Sequence, residues 1–196
     1  MLRKLLDIGL MHIKKILEEM ARTDLDMMDD VIGKGDIQDI PSKMLLLREE
    51  IRDIATELIV RYQPVARDLR YIQASLDVSY DLFRISRYIF EIRRTLELSG
   101  VDVEELEITN AISLVKETVA IAVTSFLDEN DELVTRVFDL DSKIDEEYKL
   151  AISSLRQEIT LKKAVRALIM RHLERISDHA TLIARATVYV VRGERL

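Results

Sequence analysis

The sequence contains no cysteine and no tryptophan, and it has only 5 glycines and 2 prolines. Without cysteine there is no disulfide framework and no thiolate ligand, so any bound metal must be held by oxygen or imidazole. The scarcity of glycine and proline argues against a fold rich in strands and tight turns. Hydrophobic residues make up 48% of the chain and charged residues 33%. This balance is typical of amphipathic helices and predicts an all-α protein.

Long apolar runs are also missing. No stretch approaches the roughly 20 residues needed to cross a bilayer, and the N-terminus alternates charged and apolar residues instead of resembling a secretory signal. We therefore expect a cytoplasmic protein with at most peripheral membrane association through partners. The net charge of −7 argues against nucleic-acid binding, because Lys and Arg are scattered through segments of mixed sign.

Apolar residues at helical spacing predict six long helices. They are expected at about residues 2–32, 40–62, 64–98, 103–128, 131–155 and 158–192. Breaks at Gly33-Lys34-Gly35, Gln63-Pro64 and Ser99-Gly100 separate helices in the first half. Because short connections make neighbouring helices antiparallel, the chain is predicted to form two tandem three-helix bundles, at residues 1–99 and 100–196.

An internal repeat supports this division. Residues 82–94 align without a gap with residues 173–185, 91 positions later, and 6 of the 13 positions are identical. The identical pairs are Leu82/Leu173, Arg84/Arg175, Ile85/Ile176, Ser86/Ser177, Ile92/Ile183 and Arg94/Arg185.

The clearest candidate for chemistry is an acid pair in the second copy. Glu174 and Asp178 lie one helical turn apart and could hold one cation between two carboxylates. In the first copy the same positions are Phe83 and Arg87, so one copy has the pair and the other does not. The apolar stripe of this helix lies on nearly the opposite side, which places the acids outside the core, where an ordinary solvated surface is the alternative explanation. The stripe consists of Val165, Ile169, Leu173, Ile176, Ala180 and Ile183.

Three sequence motifs together resemble the PhoU family over nearly the whole chain: QPVARDLR (63–70), DLFRIS (81–86) and RHLERISDHATLIA (171–184). The resemblance implies two tandem three-helix bundles, each usually carrying LERIGDHA with an E/D-x-x-x-D metal motif. Here Ser177 replaces the usual glycine. It further implies a non-catalytic, negative regulator of phosphate uptake that acts with subunits of a phosphate ABC transporter and, in bacteria, with a sensor histidine kinase.

The family also has acidic residues on the middle helix of each bundle, and DLDSKIDEEY (139–148) matches with Asp141 and Asp145. With Glu174 and Asp178 these would form a four-carboxylate site. Close carboxylates favour a bound counter-cation, so a divalent or trivalent metal ion is expected: iron, manganese, zinc, calcium or magnesium. An ordinary charged surface remains the alternative for Asp141 and Asp145.

Two further features carry expectations. His172 lies close to the apolar stripe and is expected in the core, whereas His179 is a weaker candidate for a metal ligand or for a partner of one. The third helix carries a second apolar stripe, which predicts a contact surface for the other bundle or a second subunit in a homodimer, with Phe83 and Phe90 as anchors. This stripe consists of Ile72, Leu76, Tyr80, Phe83 and Phe90. Packing against the N-terminal helix of the same chain is the alternative.

Two other functional classes remain open. One is a structural or dimerisation module that regulates another transporter, which would not require Glu174 and Asp178. The other is a carboxylate-bridged helical metalloenzyme, which would need Glu-x-x-His pairs inside the core, and that spacing is absent from the sequence. No phosphate-binding glycine loop is present either.

Overall fold

The computed structural model describes residues 2–33 and 35–195, and every regular element in these ranges is helical. This confirms the all-α prediction. The six long helices are α1 (Leu2–Gly33), α2 (Ile40–Tyr62), α3 (Ala66–Ser99), α4 (Thr109–Leu127), α5 (Val134–Ser154) and α6 (Leu161–Arg192). Short 3₁₀ turns at Val103–Leu106 and Asp131–Leu133 precede α4 and α5.

The helix ends follow local chemistry. Gly100 and Gly193 close α3 and α6 with φ angles of 65° and 76°, left-handed conformations that glycine adopts without steric cost. The Thr160 hydroxyl accepts a hydrogen bond from the Lys163 amide and caps the start of α6. Pro64 was predicted in the first turn of α3, but it lies before the helix. Lys34, in the predicted first break, lies outside the described residues.

The helices pack in two sets that follow chain order. Helices α1, α2 and α3 contact one another, as do α4, α5 and α6, and α3 and α6 form the most extensive contact between any two helices. All six residues of the predicted α6 stripe are buried, which confirms that face of the helix as core. The layout agrees with two three-helix bundles joined through α3 and α6. The exact boundary at residues 99 and 100 stays a prediction.

Helix α3 is covered on more than one side, as its two apolar stripes predicted. It packs against α6 and also against α1 and α2. Ile72, from the second stripe, is fully buried, and Phe83 and Phe90 are partly buried and pack against the hydrophobic core of the chain. Contacts within the chain therefore account for the burial of part of this second stripe.

Helix α4 corrects the expectation that no segment approaches membrane-spanning length. In the described part of the chain, Thr109–Leu127 is one helix long and apolar enough to span a bilayer, with 19 residues and a mean hydropathy of 1.3. Half of this window is buried inside the protein. Because α4 packs against α1, α5 and α6, its apolar composition is that of a core helix.

Candidate metal centre

The α5–α6 contact brings the two predicted acid pairs together. The Ser177 hydroxyl of α6 donates a 2.6 Å hydrogen bond to Asp141 Oδ1 of α5. Ser177 is fully buried, and it lies between Glu174 and Asp178 in the sequence. In the sequence, Ser177 was recognisable only as a substitution for the usual glycine. In the structure it links α6 to Asp141 of α5 at the level of the candidate site.

All four predicted ligands interact electrostatically. Burial is the main cause that raises the pKa of Asp141, and the negative charges of Asp145 and Asp178 raise it further, while the Ser177 hydrogen bond lowers it. Burial likewise raises the pKa of Glu174, with added contributions from Asp178 and Asp145. Close carboxylates thus repel one another here, as the four-carboxylate prediction requires.

Arginines of α6 compensate part of this negative charge. Arg171 Nη1 donates to both carboxylate oxygens of Glu174 at 2.6 Å. Arg175 Nη1 donates to Asp178 Oδ2 at 3.1 Å and its Nε lies 3.8 Å from Glu174. Within the described ranges, no three acidic or histidine residues are arranged to hold a metal ion in this conformation. These arginines were not predicted as partners of the acids, although their i,i+3 spacing to Glu174 and Asp178 is readable in the sequence.

The burial of the acid pair differs from the prediction of a solvated face. The Glu174 side chain is 13% exposed and that of Asp178 is 42% exposed. Glu174 is shielded because the large contact of α6 with α5 covers the flank of the helix as well as its apolar stripe. Carboxylate oxygens suit hard cations. The donor set therefore fits a metal chemically, but Arg171 and Arg175 would have to move away from the acids.

The two histidines of α6 lie at the α3–α6 contact. His179 Nδ1 is 2.8 Å from Oδ1 of the buried Asp81, a partner 98 residues away that the sequence analysis did not find. His172 is half-buried beside Tyr88, with ring centroids 6.0 Å apart, and burial lowers its pKa. His172 therefore packs between helices, close to the expectation, and His179 pairs with an acid outside the predicted metal set.

These contacts also reflect the repeat. At the 91-residue offset, His172 is the counterpart of Asp81, and His179 is the counterpart of Tyr88. Asp81 pairs with His179 and Tyr88 packs on His172, so equivalent positions exchange partners across the α3–α6 contact. This exchange is expected of an antiparallel helix pair with approximate two-fold symmetry. The first copy has no acid pair: Phe83 packs on the core at one of the two positions, and Arg87 is exposed at the other.

Comparison with known proteins identifies the family. The family model described as PhoU domain matches residues 108–187. The phosphate-specific transport system accessory protein PhoU homolog 1 of Thermotoga maritima is 32% identical over 160 residues, covering 76% of this chain and 69% of the relative. The PhoU homolog of Clostridium acetobutylicum is 27% identical over 206 aligned positions, covering 98% of this chain and 91% of that protein.

Solved structures agree in fold. The crystal structure of PhoU from Pseudomonas aeruginosa superposes with a TM-score of 0.78 at 23% identity, covering 98% of both chains. The phosphate transport system regulatory protein PhoU from Streptococcus pneumoniae gives a TM-score of 0.72 at 18% identity, covering 97% of this chain and 99% of that one. The sequence similarity and the shared helical architecture lead to one conclusion: this chain belongs to the PhoU family.

Proposed function

We propose that this protein is an accessory regulator of a phosphate-specific transport system, acting by protein–protein contact and without catalysis. The observation that carries this proposal is the similarity to proteins named as phosphate-specific transport accessory proteins over almost the full length of both chains. Regulation of phosphate uptake is negative in this proposal. The direct partners are subunits of a phosphate ABC transporter and a sensor histidine kinase.

The proposal includes a metal ion at the α5–α6 cluster. Glu174 and Asp178 of α6, with Asp141 and Asp145 of α5, would supply the oxygen ligands. The ion would neutralise mutually repelling carboxylates, whose repulsion and burial raise the pKa of Asp141 and Glu174. Binding would release Arg171 and Arg175 from their ion pairs. Two guanidinium groups would then become available at the surface next to the site, where an acidic partner could contact them.

A homodimer and a cytoplasmic location belong to the same proposal. The partly exposed stripe of α3 with Phe83 and Phe90 supports the homodimer. One side of each ring packs on the core of the chain, and the other side is therefore available for a second subunit. The membrane transporter would then be reached from the cytoplasmic side through its subunits.

The transporter contact is tested by co-purification. The tagged chain is expressed with the subunits of a phosphate ABC transporter and recovered from detergent extracts in the presence of manganese or of EDTA. We expect transporter subunits to co-purify with the wild-type chain. A chain that never recovers phosphate transporter subunits but does recover those of another transporter would favour the alternative of a module for a different system.

The metal site is tested by elemental analysis of protein purified without chelator. We expect the double variant Glu174→Gln/Asp178→Asn to lose bound metal and to keep its helical circular dichroism. The matched control is Asp53→Asn/Glu57→Gln, an exposed pair with the same four-residue spacing on α2. Equal metal content in all three proteins would contradict the assignment.

Absence of catalysis is tested in parallel. The cluster offers carboxylates paired with arginines and no nucleophile activated by a neighbouring base, so we expect no phosphatase turnover with a metal-loaded protein. Hydrolysis of a phosphate monoester at an ordinary enzymatic rate that disappears in Glu174→Gln would instead support the metalloenzyme alternative.

A further inference from the structure

A groove of about 730 Å³ runs along α3 between α2 and α6, apart from the acid cluster. Four arginines and two aspartates line it, which leaves an excess of positive charge in a protein of net charge −7. The charged lining residues are Arg48, Arg52, Arg185, Arg195, Asp77 and Asp81. An anion is therefore the ligand that the charge of this groove favours.

Ion pairs within the protein cancel only part of this positive charge, because Arg48 and Arg52 share the single carboxylate of Glu49, at 3.4 and 2.9 Å. Of the two carboxylates, Asp81 is already paired with His179 at 2.8 Å. Arg185 lies over the ring of Phe138 at 5.5 Å and Arg195 over that of Tyr189 at 5.0 Å. In the described part of the chain, neither arginine has a carboxylate within 4.0 Å. Both guanidinium groups are thus free to bind an external anion.

Aromatic rings hold two of the guanidiniums in place. Arg48 stacks on Tyr80 with 5.3 Å between its Cζ and the ring centroid, as Arg195 does on Tyr189. Nη1 of Arg48 contacts Glu49 at 3.4 Å, and the remaining accessible N–H donors of these stacked guanidiniums can form hydrogen bonds to phosphate oxygens. The Nε of Arg48 is also buried without a hydrogen-bond partner among the described residues. The two arginines are positioned before any ligand arrives, which lowers the entropic cost of binding.

The spacing of these arginines selects the kind of anion. The Tyr189 hydroxyl donates to Gln73 at 2.9 Å, so the Arg195 end of the groove lies near Gln73. The Arg48 end lies at Tyr80, seven residues further along α3, which is about 10 Å along a helix axis. Arg185 lines the groove one turn before Tyr189. Arginines anchored about 10 Å apart along α3 favour a ligand longer than a single phosphate, such as several linked phosphates.

We propose that this groove binds a linear chain of linked phosphates, as found in a nucleoside triphosphate or in short inorganic polyphosphate. The site lies outside the acid cluster and requires neither a bound metal nor the transporter, so it goes beyond the function proposed above. Arg185 connects the two regions, because its charge also lowers the pKa of Asp141. Anion binding at Arg185 would therefore reach the acid cluster electrostatically.

The test is isothermal titration calorimetry with sodium tripolyphosphate, ATP and orthophosphate in a buffer that contains EDTA. A salt concentration of about 0.15 M screens charges that lie more than about 8 Å apart, so only anions bound close to the arginines gain affinity from them. EDTA removes any metal that could bridge a phosphate to the acid cluster. We expect tripolyphosphate to bind at least about tenfold more tightly than orthophosphate. Arg185→Gln and Arg195→Gln should each weaken tripolyphosphate binding about tenfold, as expected for loss of a charged hydrogen-bond pair.

Two further variants test whether the sign and the position of the removed charge decide the change in tripolyphosphate affinity. Asp77→Asn removes an exposed carboxylate from the groove and should strengthen binding. Arg61→Gln removes the same charge as the groove variants from an exposed position on α2, where Arg61 pairs with Glu57 at 2.8 Å, and should leave binding unchanged. Circular dichroism verifies that each variant is folded.

The relative affinities for the three ligands distinguish the possible occupants of the groove. Equal affinities for ATP and tripolyphosphate would assign the phosphate chain alone as the ligand, and tighter binding of ATP would assign a nucleoside triphosphate. Binding of orthophosphate as tight as that of tripolyphosphate, no binding of either chain, or an Arg185→Gln variant that binds like the wild type would overturn the proposal. Glu174→Gln/Asp178→Asn should still bind tripolyphosphate, at wild-type affinity or more tightly because the acid cluster loses negative charge, so failure of the metal proposal would not be mistaken for failure of this one.

Discussion

Asp24 on α1 is expected to make the stability of this protein strongly dependent on pH. Its side chain is fully buried, and neither carboxylate oxygen has a hydrogen-bond partner among the described residues. Burial raises the pKa of Asp24 well above its ordinary value. Its neighbours one turn away on each side, Met20 and Met28, are buried apolar residues, so the carboxyl group lies within an apolar stripe of the helix.

The direction of the pH effect follows from linkage. A carboxyl group whose pKa is raised by folding stabilises the folded state fully below its unfolded pKa of about 3.9, and that contribution is lost as the pH rises towards the folded pKa. The unfolding free energy should therefore fall with pH, by at most about 1.4 kcal/mol per pH unit for one group. Keeping Asp24 neutral at pH 7 costs at most about 4 kcal/mol, a large part of the 5–15 kcal/mol typical of a domain.

Asp24→Asn removes this ionisation with almost no change in shape. We expect the unfolding free energy of the variant, relative to wild type, to increase steadily between pH 4 and pH 7. Urea unfolding followed by circular dichroism at pH 4, 5, 6 and 7 measures this difference, in which the contributions of other acids cancel. Asp26→Asn, an exposed position on the same helix, is the control and should stay within about 0.5 kcal/mol of wild type. A difference that does not change with pH would show that Asp24 is solvated or paired.

Three other predictions concern single side chains. Asp81→Ala should lower the unfolding free energy by about 1–3 kcal/mol, because His179 loses its buried partner, and the exposed Asp77→Ala on the same helix should not; equal urea midpoints for the two variants would contradict this. Thr160→Ala should cost about 1 kcal/mol by removing the cap of α6, and thermal unfolding of the variant should begin at lower temperature. Phe83→Glu should dissociate the proposed homodimer while the chain stays helical, since a charge would replace an apolar contact; sedimentation velocity would refute the subunit contact if the assembly were unchanged.

The amino-acid sequence by itself determined the helical architecture and the core face of α6. Apolar residues such as Leu173, Ile176 and Ile183 repeat at the helical period, and that period fixes which side of the helix is buried whatever packs against it. The acid pair of Glu174 and Asp178 was readable from its four-residue spacing, whereas Asp141 and Asp145 on α5 were implied by the resemblance to the PhoU family. Asp24 also carried a readable signal, because it falls between Met20 and Met28 at four-residue spacing, and the sequence analysis missed it.

Tertiary structure alone decided what these side chains meet. Asp81 and His179 are 98 residues apart, and no local period connects them until α3 packs on α6. The packing of α5 on α6 shields Glu174, which helical periodicity placed on a solvated face. Periodicity gives a direction around the helix and not the neighbour in that direction. The arginine groove exists for the same physical reason: Arg48 and Arg185 belong to helices that face each other only across α3.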